Sequence, residues 1–590
     1  MALFSFCSCA YSPIDSSETV RVIIEEGQSF VASPSYVDIP KGQDALFKIT
    51  LEEGYEIESV SYPSYSISSS ENIRLLTLEK VSYSTVITLS LKEMEESSSS
   101  IFTTESLEES SEVTSKEDDD VPHIDMGGYS PQLRVNAPIL NRRFEKEGYL
   151  QVGWSKEKDG SGDFIGFGWR IDKDIQKIYP IFEKESDPSL FGYREVENGF
   201  RIKSYSGDEE KLVVPSIYKK KPIVGIDAEA ISSIHTKSLI LPPSIIEVAK
   251  YAIDCPNLTS LTIFDSTLSI KNLSLNCPKL ERLRVNAAIK PRYSDTYFAT
   301  FQNKVDFLLE NKDKKKLILF SGSSTRYGFD SPTVEKAFPD YRVINMGVYA
   351  YTNAFPQLEI ILSYLKEGDV MFHSPELDAV YEQFCYDLAF DFRTWNLLES
   401  GYQELERLDL RRFENVFDTF STYQSVRKAM KEKDHTIWAY LYDDDSVKHE
   451  FPIYNENGDL TLYRANTEGY VGPISQQILD YRIDSLFGQY IEIAKHLDGI
   501  YREYMERKGI QIYFGHAPKN RYCLEQTGTE DDRKAIDEYL LQNLSVPIIM
   551  DLESSIYDTK YFYLIDNHLS SEGVEIHTDK VISFLKAAGL

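Results

Sequence analysis

Between residues 18 and 93 apolar and polar positions alternate in short runs, "TVRVIIEEGQSF", "DALFKITLEEGYEIESVSY" and "IRLLTLEKVSYSTVITLSLKE", separated by turn residues. Period-two alternation at this spacing predicts half-buried strands, and several in succession predict a small β-sandwich. The pattern then stops. Residues 94–122 are almost all Ser, Thr, Glu and Asp, a composition that buries too little apolar surface to offset its ordering entropy, so they form a linker. Aromatic strand patterns return at 145–186, within a module spanning 123–190. From 191 to 304 the chain repeats itself: "CPNLTSLTIFD" at 255 and "CPKLERLRVNA" at 277 share C-P-x-L-x-x-L-x-[IV] at a 22-residue period. A repeat of that length cannot bury its Leu face alone and must stack on its neighbours. Cys255 and Cys277 then occupy equivalent positions, as small buried hydrophobes or as a disulfide.

After residue 305 the pattern changes to apolar runs alternating with amphipathic stretches. Strands are expected at "KKLILF" (315–320), "RVINMGV" (342–348), "DVMFHS" (369–374), "IQIYFGHAP" (510–518) and "VPIIMD" (546–551). Helical stretches such as "PQLEIILSYLKEG" and "YIEIAKHLDGIYREYMERKG" separate them. Unbroken apolar strands between helices predict a parallel sheet covered on both faces. Residues from about 392 to 485 carry helical and loop patterns and are expected as a cap inserted between the third and fourth strands. The fold class is therefore multidomain, with N-terminal β modules, a repeat solenoid and a C-terminal α/β/α domain.

Charge narrows the partners. The formal net charge is -31, with no basic stripe of the kind that binds phosphate by releasing counterions, so nucleic acid is not expected. No apolar run reaches the 18 or more residues that would span a bilayer. The start, "MALFSFCSCAYS", carries a short apolar piece ending in Cys7 and Cys9. Residues 1–17 are read as a signal or lipoprotein remnant, with Cys9 the residue to be lipidated and a peripheral membrane anchor as the consequence; an ordinary disordered start fits equally. The cysteines form no CxxC pair, and "YDDDS" at 442 lacks calcium-loop spacing, so neither a metal nor another cofactor is expected.

The candidate chemistry sits in "LILFSGSSTRYGFDS" (317–331). Ligands of open parallel sheets bind beyond the carboxyl ends of the strands, and Gly322 lets the chain turn sharply to aim the hydroxyl of Ser323 or Ser324 into that crevice. No G-x-x-x-x-G-K-[ST] is present, which disfavours a phosphate loop. A serine nucleophile needs a base. His568 in "YLIDNHLSSEG" lies between the last strand and the last helix, with Asp566 two residues earlier to orient it. His516 and Asn520 in "FGHAPKNRY", at the end of the fourth strand, are further candidates for binding substrate.

Three resemblances add to this reading. The "GYLQVGW" spacing near 148–154 resembles the internalin B-type β-grasp repeat, and the 22-residue units resemble the leucine-rich repeats of bacterial surface antigens. "LFSGSSTRYGFDS", "VINMGVYAY", "EGDVMFHSPEL" and "DNHLSSEG" resemble the four blocks of SGNH (GDSL-type) hydrolases of the secreted Gram-positive branch. The last resemblance implies a flavodoxin-like sandwich over 305–590 and acyl-ester chemistry, with Ser324 as nucleophile, His568 as general base and Asp566 as its partner. Gly347 or Ala350 would supply a backbone N–H to the oxyanion, alongside that of Ser324. Two features depart from the family. Its D-x-x-H spacing would place the acid at Ile565, leaving Asp566, Asp558 or no acid at all. Its third-block Asn is replaced by "HSPEL", with His373 and Glu376; an ionised Glu donates no hydrogen bond, and losing one oxyanion donor costs on the order of 10²-fold in rate.

The implied protein is an extracellular bacterial surface esterase or O-acyltransferase acting on acyl, chiefly acetyl, esters of carbohydrate or cell-wall polymer without a cofactor. The alternative is a non-catalytic adhesin or scaffold that retains a degenerate hydrolase domain and binds a protein ligand on its repeats.

Overall fold

The computed structural model describes residues 19–93, 123–134, 144–287, 297–429 and 454–590, apart from short internal gaps that include 349–352, 377–387, 467–482, 525–528 and 564–566. Cys9, the Ser/Glu linker and the acidic run at 442 lie outside the described residues. The chain divides into two compact units, one within Met1–Ser115 and the other beginning at Lys116.

The described residues of the first unit form strands and the turns between them. Its segment Gln43–Leu51 pairs antiparallel with Phe30–Ser33 and with Ile73–Val81. Thr19–Ile24 pairs antiparallel with Tyr36–Pro40 and parallel with Thr85–Ile87. Alternate residues Ala45, Phe47 and Ile49 are buried, as a pleat with one dry face requires. With Val22, Ile24, Leu76 and Leu78 they make a core of their own.

The second unit begins, after the short strands 123–134, with a three-stranded antiparallel sheet built on Tyr149–Ser155. A parallel ladder follows in the order β1 (Lys211–Val213), β2 (Ser238–Ile240), β3 (Ser260–Phe264), β4 (Arg282–Asn286). Ser238 faces Ser260 and Ser260 faces Arg282, so the step between the last three strands is the 22-residue repeat. Leu239, Leu261 and Leu283 stack in its dry interior. Cys255 and Cys277 are free thiols, and burial pushes them up to about 11 and about 12, so they stay protonated and inert.

Neither the antiparallel sheet nor the ladder is a detached spacer. Asn286 at the end of β4 accepts from Phe167 N (3.0 Å) and donates to Val152 O (3.1 Å), while Trp169 Nε1 donates to Val285 O (3.0 Å). One continuous apolar core runs from Trp154 through the ladder and on to Ile556.

The remaining layers are α1 (Tyr297–Glu310), β5 (Lys316–Phe320), α2 (Ser323–Arg326), α3 (Ser331–Ala337), β6 (Arg342–Asn345), α4 (Ala354–Tyr364) and β7 (Val370–His373). They continue with α5 (Phe392–Leu398), α6 (Val416–Ala429), α7 (Ile483–Lys508), β8 (Gln511–Phe514), α8 (Glu530–Asn543) and α9 (Ser571–Ala587). Four strands form an open parallel sheet in the order β6-β5-β7-β8, extended by a single parallel bridge from Phe514 to Ile548. Every residue of β5 and β7 is buried, which is why these strands read as unbroken apolar runs. The segment expected as a cap has two fates. Its part 392–429 packs against the ladder, where Asn272 Oδ1 accepts from Phe417 N (2.8 Å) and Arg284 pairs with Glu406 (2.7 Å). Its part 454–464 lies against the turn after β5, as described below.

The joint between α6 and the ladder is ionic and dry. Arg427, 1% exposed, lies 2.8 Å from Asp265 Oδ2 and 2.8 Å from Glu399 Oε1, both carboxylates equally buried. Tyr423 OH donates to Glu399 Oε1 (3.0 Å) and meets Tyr402 OH at 2.7 Å.

Candidate functional site

The chain leaves β5 through Ser321 and Gly322 and enters α2 at once, with Gly322 as its cap. α2 thus begins at Ser323, directly beyond the carboxyl end of β5. On that side the Ser323 hydroxyl lies 2.7 Å from His568 Nε2. The two residues are 245 positions apart in the chain. Of the expected pair, His568 is therefore where the sequence placed it, but its partner is Ser323 rather than Ser324. Ser324 is 0% exposed and its hydroxyl makes no hydrogen bond among the described residues. Ser323 retains 7% exposure.

His568 is held from several sides. Tyr327 lies against its ring at 4.2 Å between centroids, and the Tyr563 N–H donates to the His568 carbonyl (2.8 Å). Desolvation of the ring, with the Arg326 and Arg464 guanidiniums adding their repulsion, holds the imidazole well below its ordinary pKa. It is a neutral base at neutral pH. Arg326 and Arg464 sit 5.3 Å and 5.2 Å from the Tyr327 ring centre.

The expected oxyanion donors are already engaged. Gly347 N donates to Asn345 Oδ1 (2.9 Å), an Asx turn, and Ser324 N donates to Glu376 Oε1 (2.5 Å). Neither can hold a developing oxyanion without breaking that bond. Glu376 is buried beside the Ser turn as a hydrogen-bond acceptor. Gly347 has a packing role: a Cβ there would stand 2.2 Å from Arg326 N and 2.7 Å from the Thr325 carbonyl carbon. Gly347→Ala must therefore push α2 away from β6, and misplacing a reacting group by about 1 Å costs roughly 10²-fold. A loss of that order is expected in the rate of fluorophosphonate labelling, measured at equal folded fraction.

Other candidates fall away from the site. His373 Nδ1 meets Tyr501 OH at 2.5 Å on α7, and burial alone lowers its pKa to about 3; it is a core residue. His516 Nε2 pairs with Asp537 (2.8 Å), and Asn520 Oδ1 accepts from Thr559 (2.9 Å), so both tie loops together. Asp558 is an exposed partner of Arg521 at 3.3 Å and is not the acid behind His568. Asp566 and Ala350 lie outside the described residues.

Charged groups that the sequence reading did not single out brace the turn. Lys304 from α1, fully buried, donates to Asn345 O (2.9 Å) and Gly458 O (2.7 Å). Burial, with Arg326 nearby, pushes its ammonium well below the usual range. Asp459 accepts from Ser331 N (2.7 Å), Ser331 Oγ (2.6 Å) and Asn345 Nδ2 (2.9 Å), and Asn345 Nδ2 also donates to Thr325 O (3.0 Å). "TRYG", directly after the serines, signalled Arg326 but neither Lys304 nor Asp459. Among the described residues no cluster of three or more His, Cys, Asp or Glu side chains could hold a metal ion, and no helix is long and apolar enough to cross a membrane.

No family model matches the chain, and no curated protein matches it. Among solved structures, a leucine-rich repeat protein of T. pallidum matches 18% of this chain at 16% identity with a TM-score of 0.13. The chain spans 64% of that structure's length, and what the two share is a similarity over one segment.

Proposed function

We propose that the protein is a serine esterase or O-acyltransferase of SGNH type, acting at a bacterial cell surface on acyl esters, chiefly acetyl, of extracellular carbohydrate. One observation carries the reading: the Ser323 hydroxyl within hydrogen-bond distance of a neutral imidazole, at the carboxyl end of a buried parallel strand. In this mechanism Ser323 Oγ attacks the ester carbonyl while His568 Nε2 takes its proton. The protonated His568 then delivers that proton to the departing sugar oxygen, leaving an acyl-Ser323. Water, or a second sugar hydroxyl, attacks the acyl-enzyme with His568 again as base, and the enzyme is restored without metal or cofactor. Asp566 is the proposed orienting acid on grounds of sequence proximity. The parallel ladder with its 22-residue step is the proposed leucine-rich solenoid, the sheet around Tyr149–Ser155 the proposed internalin-type module, and a lipid on Cys9 the proposed anchor.

The test is covalent. A fluorophosphonate should label the full chain once, and peptide mapping should place the adduct on Ser323; an adduct on Ser324 or elsewhere would reassign the nucleophile. The neutral state of His568 also fixes a pH profile. Since the folded-state pKa lies well below 6.5, labelling should be flat from pH 8 through 6.5 and fall only well below it. Stability should show the companion effect, declining below about pH 6.5 because the unfolded chain takes up a proton that the folded site refuses.

A second reading, a binding or adhesive protein with a degenerate hydrolase domain, is favoured by the Glu376 carboxylate that accepts from Ser324 N and by the engaged Gly347 N–H. Absence of labelling, together with no turnover of p-nitrophenyl acetate or acetylated sugars, would select it.

A further inference from the structure

The two halves of the Ser–His pair come from distant parts of the chain, and something must hold them at 2.7 Å. The residue that touches both sides is Arg464, which arrives with the long insertion and is only 7% exposed. Its Nε donates to Leu569 O (3.1 Å), the carbonyl next to His568, and one terminal nitrogen donates to Tyr327 O (3.2 Å), one residue past α2. Its backbone is locked as well, since Arg464 N donates to Ser571 Oγ (3.0 Å) and Ser571 N donates to Arg464 O (3.0 Å).

We propose that Arg464 is a positioning residue: its guanidinium ties the backbone beside His568 to the backbone behind Ser323, and so fixes the separation of imidazole and hydroxyl. The insertion thereby completes the site. This rests on the esterase reading for its catalytic meaning, but the clamp itself is a geometric assignment. A planar fork of donors suits the task, because one side chain can bond two carbonyls on different segments, which a lysine's single nitrogen does poorly. The same charge also bears on His568. The groups facing the ring are Tyr327 and Arg326 from the turn after β5, Ser323, and Arg464. Removing one of two guanidiniums relieves part of the repulsion that keeps the ring neutral.

The experiment uses the full chain and compares wild type with Arg464→Gln and Arg464→Lys. Two readouts are taken: the ring titration of His568 by NMR of histidine-labelled protein, assigned with His568→Gln, and the fluorophosphonate labelling rate between pH 5 and 8. In Arg464→Gln the His568 titration should move up toward 6.5 and labelling at pH 8 should fall by about 10²-fold, the cost of a loosened reacting geometry. KM for p-nitrophenyl acetate should change far less than kcat. Arg464→Lys, which keeps the charge without the fork, should leave the titration low yet still label slowly, and it serves if the Gln variant does not fold. Added guanidinium should restore part of the Gln variant's rate. An Arg464→Gln protein whose His568 titration and labelling rate both match wild type overturns the proposal. Should wild type itself not label, the esterase reading fails, and the His568 ring chemical shifts in Arg464→Lys still decide the clamp: with the charge kept and the fork lost, shifts unchanged against the Tyr327 ring refute it and displaced shifts support it.

Discussion

Ser323→Ala is expected to abolish fluorophosphonate labelling and to lower p-nitrophenyl acetate turnover by on the order of 10⁵-fold, whereas Ser324→Ala should cost less than about tenfold. The contrast follows from geometry. Ser323 shares its hydroxyl with His568 at 2.7 Å, while the Ser324 hydroxyl is sealed from solvent and makes no hydrogen bond among the described residues. In the proposed reaction nucleophile and base act as one unit, so His568→Gln should lose about as much as Ser323→Ala, and the double variant little more. Additive losses would mean that the two side chains act in separate steps. Labelling that survives in Ser323→Ala and disappears in Ser324→Ala would reverse the assignment. Circular dichroism and thermal melting of both variants should match wild type, since each change removes one oxygen atom.

The largest effect on stability is expected at Arg427. Its guanidinium bridges Asp265 at the end of the ladder and Glu399 after α5, with all three side chains at most 1% exposed. Arg427→Met would take from two carboxylates in a dry interior the guanidinium that pairs with both, and breaking a buried pair by removing one partner costs about 3–5 kcal/mol. The midpoint of urea unfolding of the second unit should fall accordingly. The first unit, which has its own core, should unfold at its former midpoint. Replacing all three residues together, as Arg427→Met, Asp265→Leu and Glu399→Leu, should recover much of the loss, because an apolar cluster of similar volume has no desolvation penalty to offset. No recovery in the triple variant would mean that the hydrogen bond from Tyr423 to Glu399, rather than the charges, holds the joint.

The parallel strands were legible because burial on both faces leaves an unmistakable apolar run, as in "KLILF". The same property hid the direction of the side chains. In a strand with one wet face, alternation says which residues point where, but β7 is dry on both, and nothing in "VMFH" tells that His373 turns toward α7. That the hydroxyl beside His568 is Ser323's and not Ser324's was hidden for a related reason. Successive residues of a helix point about 100° apart, and α2 begins at Ser323 itself, so a shift of one position moves the hydroxyl out of reach. His568 was legible from its place before α9 and its neighbouring Asp566. The Asn345 side chain, by contrast, could have been read forward: an Asn two residues before a Gly commonly accepts that residue's N–H, which is what occupies Gly347. Lys304, Asp459 and Arg464 were beyond reach, since each acts on backbone or side chains over a hundred positions away or on groups that only the packed insertion brings near.

The uninterrupted core from Trp154 to Ile556 has a practical corollary for anyone designing expression fragments. A cut at residue 304, natural on a map of motifs, would strip Asp265 and Asn272 from α6 and bare an oily flank. Such a truncated piece should precipitate or stick to chaperones, and its inactivity would say nothing about the chemistry of the intact chain. Subcloning is better begun near residue 116, where the second compact unit begins.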